Sequence, residues 1–423
     1  MKSILLIFCA VTFIATSASC YQDTAQDFYD GNTPVTLQEY LQCAALNNAG
    51  LKAAFEQWHA AIEEVPQAKV LPDPQIQYGY YTRQSDMQMN QMLTVMQMLP
   101  WFGKIDARTE VAVKNAEAVR QKYQAARLAL FREVKDAFYE YVYLAKATEI
   151  AVENLELLRH FENVARTKYT AAQASQPDVI RAQVEIARIE YVFRSLEQLR
   201  KPTISKLTKA LTLPEDTNLP WPKAETFEPI PLDYKRLVSL LRQKNPELAS
   251  LNFEALAAKS KIELAKKNFY PDIGVGVEWT EFERRGEMSG RDSVALMFQI
   301  NLPLWRDSYR AGQRQAQAMA MSIEKEKIDT ENSLLAKAAQ SYYDYNDSIR
   351  RIRLYRDTLI PKVEELLQAS ETAYKAGTID FLSLIDSQRM LLDYHLSYQR
   401  VLADNRQKLA ELEMLVGIEL DVK

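Results

Sequence analysis

The most obvious metal chemistry stands in one run, "MQMNQMLTVMQM", from Met87 to Met98. Five of the chain's twelve methionines fall inside it. Thioethers are soft ligands suited to Cu(I) and Ag(I). The same side chain is also a pliable apolar filler, so two roles stand open for Met92, Met96 and Met98. Harder metal chemistry has no comparable constellation. The three histidines, His59, His160 and His395, are scattered, and none pairs at metal-ligand spacing. Nucleophile-elbow, zinc-protease and phosphate-loop sequences do not occur, and the "GVG" at 274–276 lacks the continuation that dinucleotide binding requires. No catalytic group assembles, so the chain reads as a non-enzyme and no cofactor is called for.

What positions these residues is a helix-rich chain. Glycine is scarce, at 11 of 423 residues, while Ala, Leu, Glu, Gln, Lys and Arg abound. The net charge of −4 gives no reason to expect a nucleic-acid partner. Residues 1–19 have the makeup of a signal peptide: Lys2, an apolar core from Ile4 to Ile14, then the small-residue zone "ATSASC". Cleavage there puts the mature chain outside the cytoplasm. Two readings stay open, an ordinary cut near Ala18 or lipid modification of Cys20. Cys43 then has at most Cys20 as a partner, so no disulfide framework is indicated.

The two halves of the chain repeat. "NNAGLKAAFEQWHAA" (47–61) matches "NPELASLNFEALAA" (245–258), and "LPDPQIQYGYYT" (71–82) matches "YPDIGVGVEWT" (270–280). "LPWFGK" (99–104) matches "LPLW" (302–305), and "AFYEY" (137–141) matches "SYYDY" (341–345). "YTAAQASQPDVIRAQ" (169–183) matches "YKAGTIDFLSLIDSQ" (374–388). A linker (20–35) thus leads into a first repeat (36–210). A connector (211–233), barred from continuous helix by Pro214, Pro220, Pro222, Pro229 and Pro231, leads into a second repeat (234–423).

Each repeat reads as helix, two strands, then long helices. Ile273, Val275, Val277 and Trp279 alternate with Gly274, Gly276, Glu278 and Thr280. Val294, Leu296, Phe298 and Ile300 alternate with Ala295, Met297, Gln299 and Asn301. One apolar face at period two marks a sheet between an apolar and a polar medium. The hairpins, 72–100 and 271–303, have strands of the length that a tilted membrane strand needs. Prolines bound them, and Trp101, Phe102, Tyr270 and Trp305 cluster at that level, as aromatics do at a membrane–water interface. From Ile105 to Tyr169 no proline or glycine intervenes, which allows on the order of 100 Å of helix. Ala137, Tyr141, Leu144, Thr148, Ala151, Leu155 and Leu158 keep the three–four spacing of a coiled coil. Pro361 is expected to kink or break the matching helix of the second repeat.

Together with "NPELASL", "LPDPQI", "LPWFGK" and above all "YKAGTIDFLSLIDSQRMLLD" (374–393), this organisation resembles the TolC family of outer-membrane efflux channels. The likeness spans about residues 36 to 420, and "LPDPQ" with "LPWFGK" is most similar to the branch serving heavy-metal cation efflux. The resemblance implies a mainly α fold with a small β part. An internally duplicated long-helix coiled-coil tunnel would carry four membrane β-strands per protomer, and a homotrimer would close a twelve-stranded barrel. It implies an outer membrane location, with outer membrane lipid around the barrel and the helices in the periplasm. The implied partners are a periplasmic adaptor (a membrane fusion protein) and an inner-membrane pump, proton-driven and of the RND type. The duct would conduct passively what they export.

The resemblance also places sites. Helix tips fall at Tyr169–Ala182 and Tyr374–Ser387, making Tyr169, Ala172, Tyr374 and Gly377 the expected adaptor contacts. Ala172 stands where the family has glycine. Asp386 matches an acidic gate position, and Ser383 replaces another; in the first repeat their counterparts are Arg181 and Asp178. Asp178 and Asp386 either ring the closed mouth or are solvated acids and helix caps. Arg181 is a candidate for bonding an acid across helices. Aligning the hairpins turns Met92, Thr94, Met96 and Met98 to the lumen and Leu93, Val95 and Leu99 to lipid, with Gln97 out of pattern. Drug efflux and type I secretion use the same architecture, and a periplasmic coiled-coil scaffold or adaptor is the alternative of another class.

Overall fold

A computed structural model describes residues 33–82, 89–214, 217–223, 227–282 and 292–420. The expected signal segment, Cys20 and Met87 lie outside the described residues. The fold is mainly α with one small sheet. In chain order come α1 (Leu37–Asn47), α2 (Ala49–Lys69), β1 (Gln75–Tyr80), β2 (Met89–Leu99), α3 (Lys104–Thr170) and α4 (Gln176–Leu211). The same succession then recurs as α5 (Tyr234–Lys244), α6 (Pro246–Lys267), β3 (Ile273–Phe282), β4 (Ser293–Ile300), α7 (Arg306–Leu354), α8 (Ile360–Ala376) and α9 (Phe381–Val416). At 67 residues, α3 spans about 100 Å.

Shared residues make the two units alike. Asn48 separates α1 from α2: its side-chain oxygen accepts from Leu51 N–H at 2.8 Å, and its amide donates to Ala210 C=O at 2.9 Å. Asn245 does the same between α5 and α6, accepting from Leu248 N–H and donating to Leu415 C=O, each at 2.9 Å. Each asparagine thereby caps one helix and ties it to the far end of the unit's last helix. Tyr141 and Tyr345 hold the connector to the long helices. The buried Tyr141 hydroxyl donates to Leu219 C=O at 2.9 Å, and that of Tyr345 donates to Ile230 C=O at 3.0 Å.

Pro361 does not break its helix. One π-turn, Tyr355–Leu359, joins α7 to α8, and the residues on either side keep helical dihedrals. The wider turn accommodates the ring and the missing N–H where a regular turn would clash. All four strands pair antiparallel in the order β1-β2-β3-β4, so the central β2–β3 pairing joins the two repeats. No helix among the described residues is long and apolar enough to cross a membrane.

Candidate functional site: the sheet faces and the helical tips

Register fixes which side chains share a face. Gln77, Thr94, Glu278 and Ala295 lie in one cross-strand row, and Tyr78, Leu93, Trp279 and Val294 in the next. One face therefore presents Ile76, Leu93, Val95, Val277, Leu296 and Phe298, all exposed on this single chain. A continuous apolar surface of this kind marks contact with a membrane or another protein. The opposite face carries Met92, Met96 and Met98 with buried Thr94 and Thr280 and the carboxylate of Glu278, which accepts from the Thr94 hydroxyl at 3.4 Å. Gln97, the residue out of pattern, lies on the apolar face at the sheet's end. Its amide donates to Pro72 C=O at 2.7 Å, so the polar group is satisfied locally.

The sheet is clamped to the helices by residues from both repeats. Lys104 Nζ donates to Asp272 Oδ1 at 2.7 Å and to Tyr270 C=O at 2.9 Å, and Trp101 N–H donates to the same Asp272 oxygen at 2.9 Å. The Trp101 and Tyr270 rings stack above this cluster, with centroids 5.5 Å apart. Phe102 and Trp305 stand exposed beside it, where their rings suit a lipid–water boundary.

At the other end the two hairpin turns are built alike. After α8, Gly377 takes φ +77°, its N–H donating to Tyr374 C=O, while Thr378 N–H reaches Ala373 C=O at 2.9 Å. After α3, Ala172 takes φ +56°, with Ala172 N–H on Tyr169 C=O and Gln173 N–H on Lys168 C=O at 2.8 Å. Ala172 thus adopts the left-handed helix ending that glycine adopts freely. The helices that follow start on matched residues, Ser175 and Asp380. Ser175 N–H donates to Asp178 Oδ2 at 3.2 Å, and Asp380 Oδ1 accepts from both the N–H and the hydroxyl of Ser383. These bonds from Ser383 hold the Asp380 carboxyl below its ordinary range, with a smaller effect from Arg181.

The candidate residues divide accordingly. Asp178 is turned back onto the start of α4, with Arg181 of its own helix 3.9 Å away and only 17% of its side chain exposed. Asp386 is open, with 56% of its side chain exposed and Arg389 at 3.4 Å. Tyr169, Ala172 and Gly377 are exposed at the turns. Tyr374 departs from the expectation: it is 4% exposed, so its ring is not presented on the surface of the turn. Its ring packs on Phe381 at 5.2 Å under the Lys168 ammonium, and burial, then the Asp178 charge, push its hydroxyl pKa to about 12.

The strongest electrostatic feature of this end was not foreseen. Glu185 of α4 is buried, yet its carboxylate bonds Arg389 of α9 and Arg188 of its own helix, the latter at 3.0 Å. The Arg389 bond, opposed by burial, leaves this carboxyl below its usual range. Glu185 occupies an apolar-stripe position with a distant arginine partner, a signal visible only once the helices are placed. Asp380 could have been found from its place three residues before Ser383.

A sequence model of outer membrane efflux proteins matches residues 40–211 and 237–418. The chain belongs to the outer membrane efflux protein family. Among relatives in this family, the cobalt-zinc-cadmium resistance protein CzcC of Cupriavidus metallidurans is 22% identical, over 91% of this chain and 90% of its own. The pyoverdine export outer membrane protein OpmQ of Pseudomonas putida is 23% identical, over 75% of this chain and 66% of its own. The outer membrane protein VceC of Vibrio cholerae has the same fold: TM-score 0.76 at 16% identity, over 91% of this chain and 97% of that one.

Proposed function

We propose that three copies of this chain form an outer-membrane exit duct for metal cations, fed by an inner-membrane pump through a periplasmic adaptor. The observation that carries this reading is the four-stranded sheet. It exposes an apolar face on every strand and leaves β1 and β4 as open edges. Such edges cannot sit in lipid unless the sheet closes. Four strands are too few to close alone, whereas three sheets joined β1 to β4 make a twelve-stranded barrel with the methionine face inside. The roughly 100 Å helices then line a periplasmic conduit below it. Full-length similarity to CzcC supports metal cations as the cargo class.

In this reading the turns at Tyr169, Ala172 and Gly377 are the surface offered to the adaptor. Asp386 is the gate acid, because its carboxylate is exposed and committed to no helix cap, and three copies around the axis attract cations. Asp178 serves the α4 cap instead, and Ser383 the α9 cap. The test is fractionation with a sensitivity profile. The chain runs as a heat-modifiable trimer in the outer membrane, and its deletion sensitises cells to metal salts. A freely soluble periplasmic protein, as a scaffold would be, contradicts the duct; unchanged metal tolerance contradicts the cargo.

A further inference from the structure

Glycine inside a strand costs stability and usually marks a bulge or a close approach by another group. Gly274 and Gly276 stand on the central strand β3, near its start and away from the one β2–β3 register shift, which lies at Met89/Gln91. Across the strands, Met98 lies beside Gly274, while Met96 and Met297 flank Gly276 from β2 and β4. A Cβ on Gly274 would fall 2.9 Å from the Met98 sulfur and 3.2 Å from the Met96 sulfur. A Cβ on Gly276 would fall 2.6 Å from the Val95 C=O and 3.1 Å from the same Met96 sulfur. Gly276 admits the Val95 backbone as well as Met96, whereas the space beside Gly274 is shared by two thioether sulfurs, each within 3.2 Å of one Cβ position. Space-filling alone would be met by leucine, which holds its shape better than methionine. The three methionines also stay half-exposed rather than sealed in a core. One row further along the strands, the Glu278 carboxylate adds negative charge to the same face.

We propose that Met96 and Met98, with Met297 opposite, form a soft-cation site for Ag(I) or Cu(I) on the inner wall of the duct. The site is complete within one protomer, and its place in the lumen rests on the duct reading above. Two or three neutral thioethers bind these ions selectively over hard divalent cations, and three copies would line the wall with stepping points.

The test uses the full-length protein in detergent, dialysed against silver nitrate without chloride, with bound silver counted by mass spectrometry. The wild type should hold one more Ag(I) per protomer than Met96→Leu/Met98→Leu. Gly274→Ala keeps every sulfur but intrudes between them, and should weaken uptake by about tenfold or more, as disturbing ligand support does elsewhere. Met319→Leu/Met321→Leu, on the exposed surface of α7, should bind like wild type. Equal uptake by wild type and the Met96→Leu/Met98→Leu variant overturns the site, as does wild-type uptake by Gly274→Ala. Planar-bilayer conductance of the same samples separates the two claims. A conducting protein without the extra silver loses only the site, and a non-conducting one that keeps it loses only the duct.

Discussion

The Glu185–Arg389 contact predicts an asymmetry between its two partners. Glu185 is 3% exposed, whereas the Arg389 side chain is 40% exposed and has Asp386 within reach. Arg389→Ala strands a buried carboxylate with only Arg188 to answer it. Breaking a buried pair in this way costs about 3–5 kcal/mol, reduced here to about 2–3 by the remaining arginine and by solvent at the Arg389 side. Glu185→Ala leaves two arginines that swing into water, at about 1 kcal/mol of lost packing. Hydrogen–deuterium exchange reads the difference locally. Amides around 182–190 of α4 and 384–392 of α9 should exchange roughly 30- to 140-fold faster in Arg389→Ala, but no more than about fivefold faster in Glu185→Ala. The double variant should behave like Glu185→Ala. Because the folded-state carboxyl pKa is lowered, the contact's contribution is full above the ordinary glutamate range and is lost as pH falls through the folded value. Equal acceleration by the two single variants, or a larger effect from Glu185→Ala, would refute the argument.

Ala172→Gly should stabilise the α3–α4 turn by about 1 kcal/mol, because it relieves a left-handed alanine; slower amide exchange at 168–174 is the readout, and faster exchange would contradict it. Asp136, on α3, is pushed up to about 6 by burial, against the attraction of Arg132. Its folded pKa lies above the unfolded value, so stability falls as pH rises from about 4 to 6, and Asp136→Asn should raise the melting temperature at pH 7.5 but not at pH 4. With 35% of that side chain exposed, screening holds the gain to about 1–2 kcal/mol. Asp386→Ala should lower cation selectivity in planar bilayers, and unchanged selectivity would remove Asp386 from the gate.

Much of the fold was legible because it is written in periodicity. Alternation along 273–280 and 294–300 gave the two sheet faces, and the proline-free run after Ile105 gave the long α3. The repeat also placed Ala172 opposite Gly377, and the structure gives both the same left-handed helix ending. Pairings across the chain were not legible. Lys104 meets Asp272, and Glu185 meets Arg389, only because separate helices and strands converge. Tyr374 misled because its motif position says nothing of burial, and its ring turns inward against Phe381. The π-turn before Pro361 shows a different limit: a proline signals that the regular helix must yield, but not whether the chain breaks or merely widens one turn.

Closure of the sheet between copies is the claim on which the rest depends, and disulfide trapping tests it most directly. Within one protomer β1 and β4 stand three strand spacings apart, about 14 Å, too far for a disulfide, whose Cα atoms lie within about 7 Å. In a Cys43→Ser background that keeps Cys20, Gln77→Cys is combined in turn with Ser293→Cys, Ala295→Cys, Met297→Cys and Gln299→Cys. The account predicts that at least one combination oxidises to a covalent trimer in the outer membrane. Absence of any cross-linked species across the whole series would contradict it.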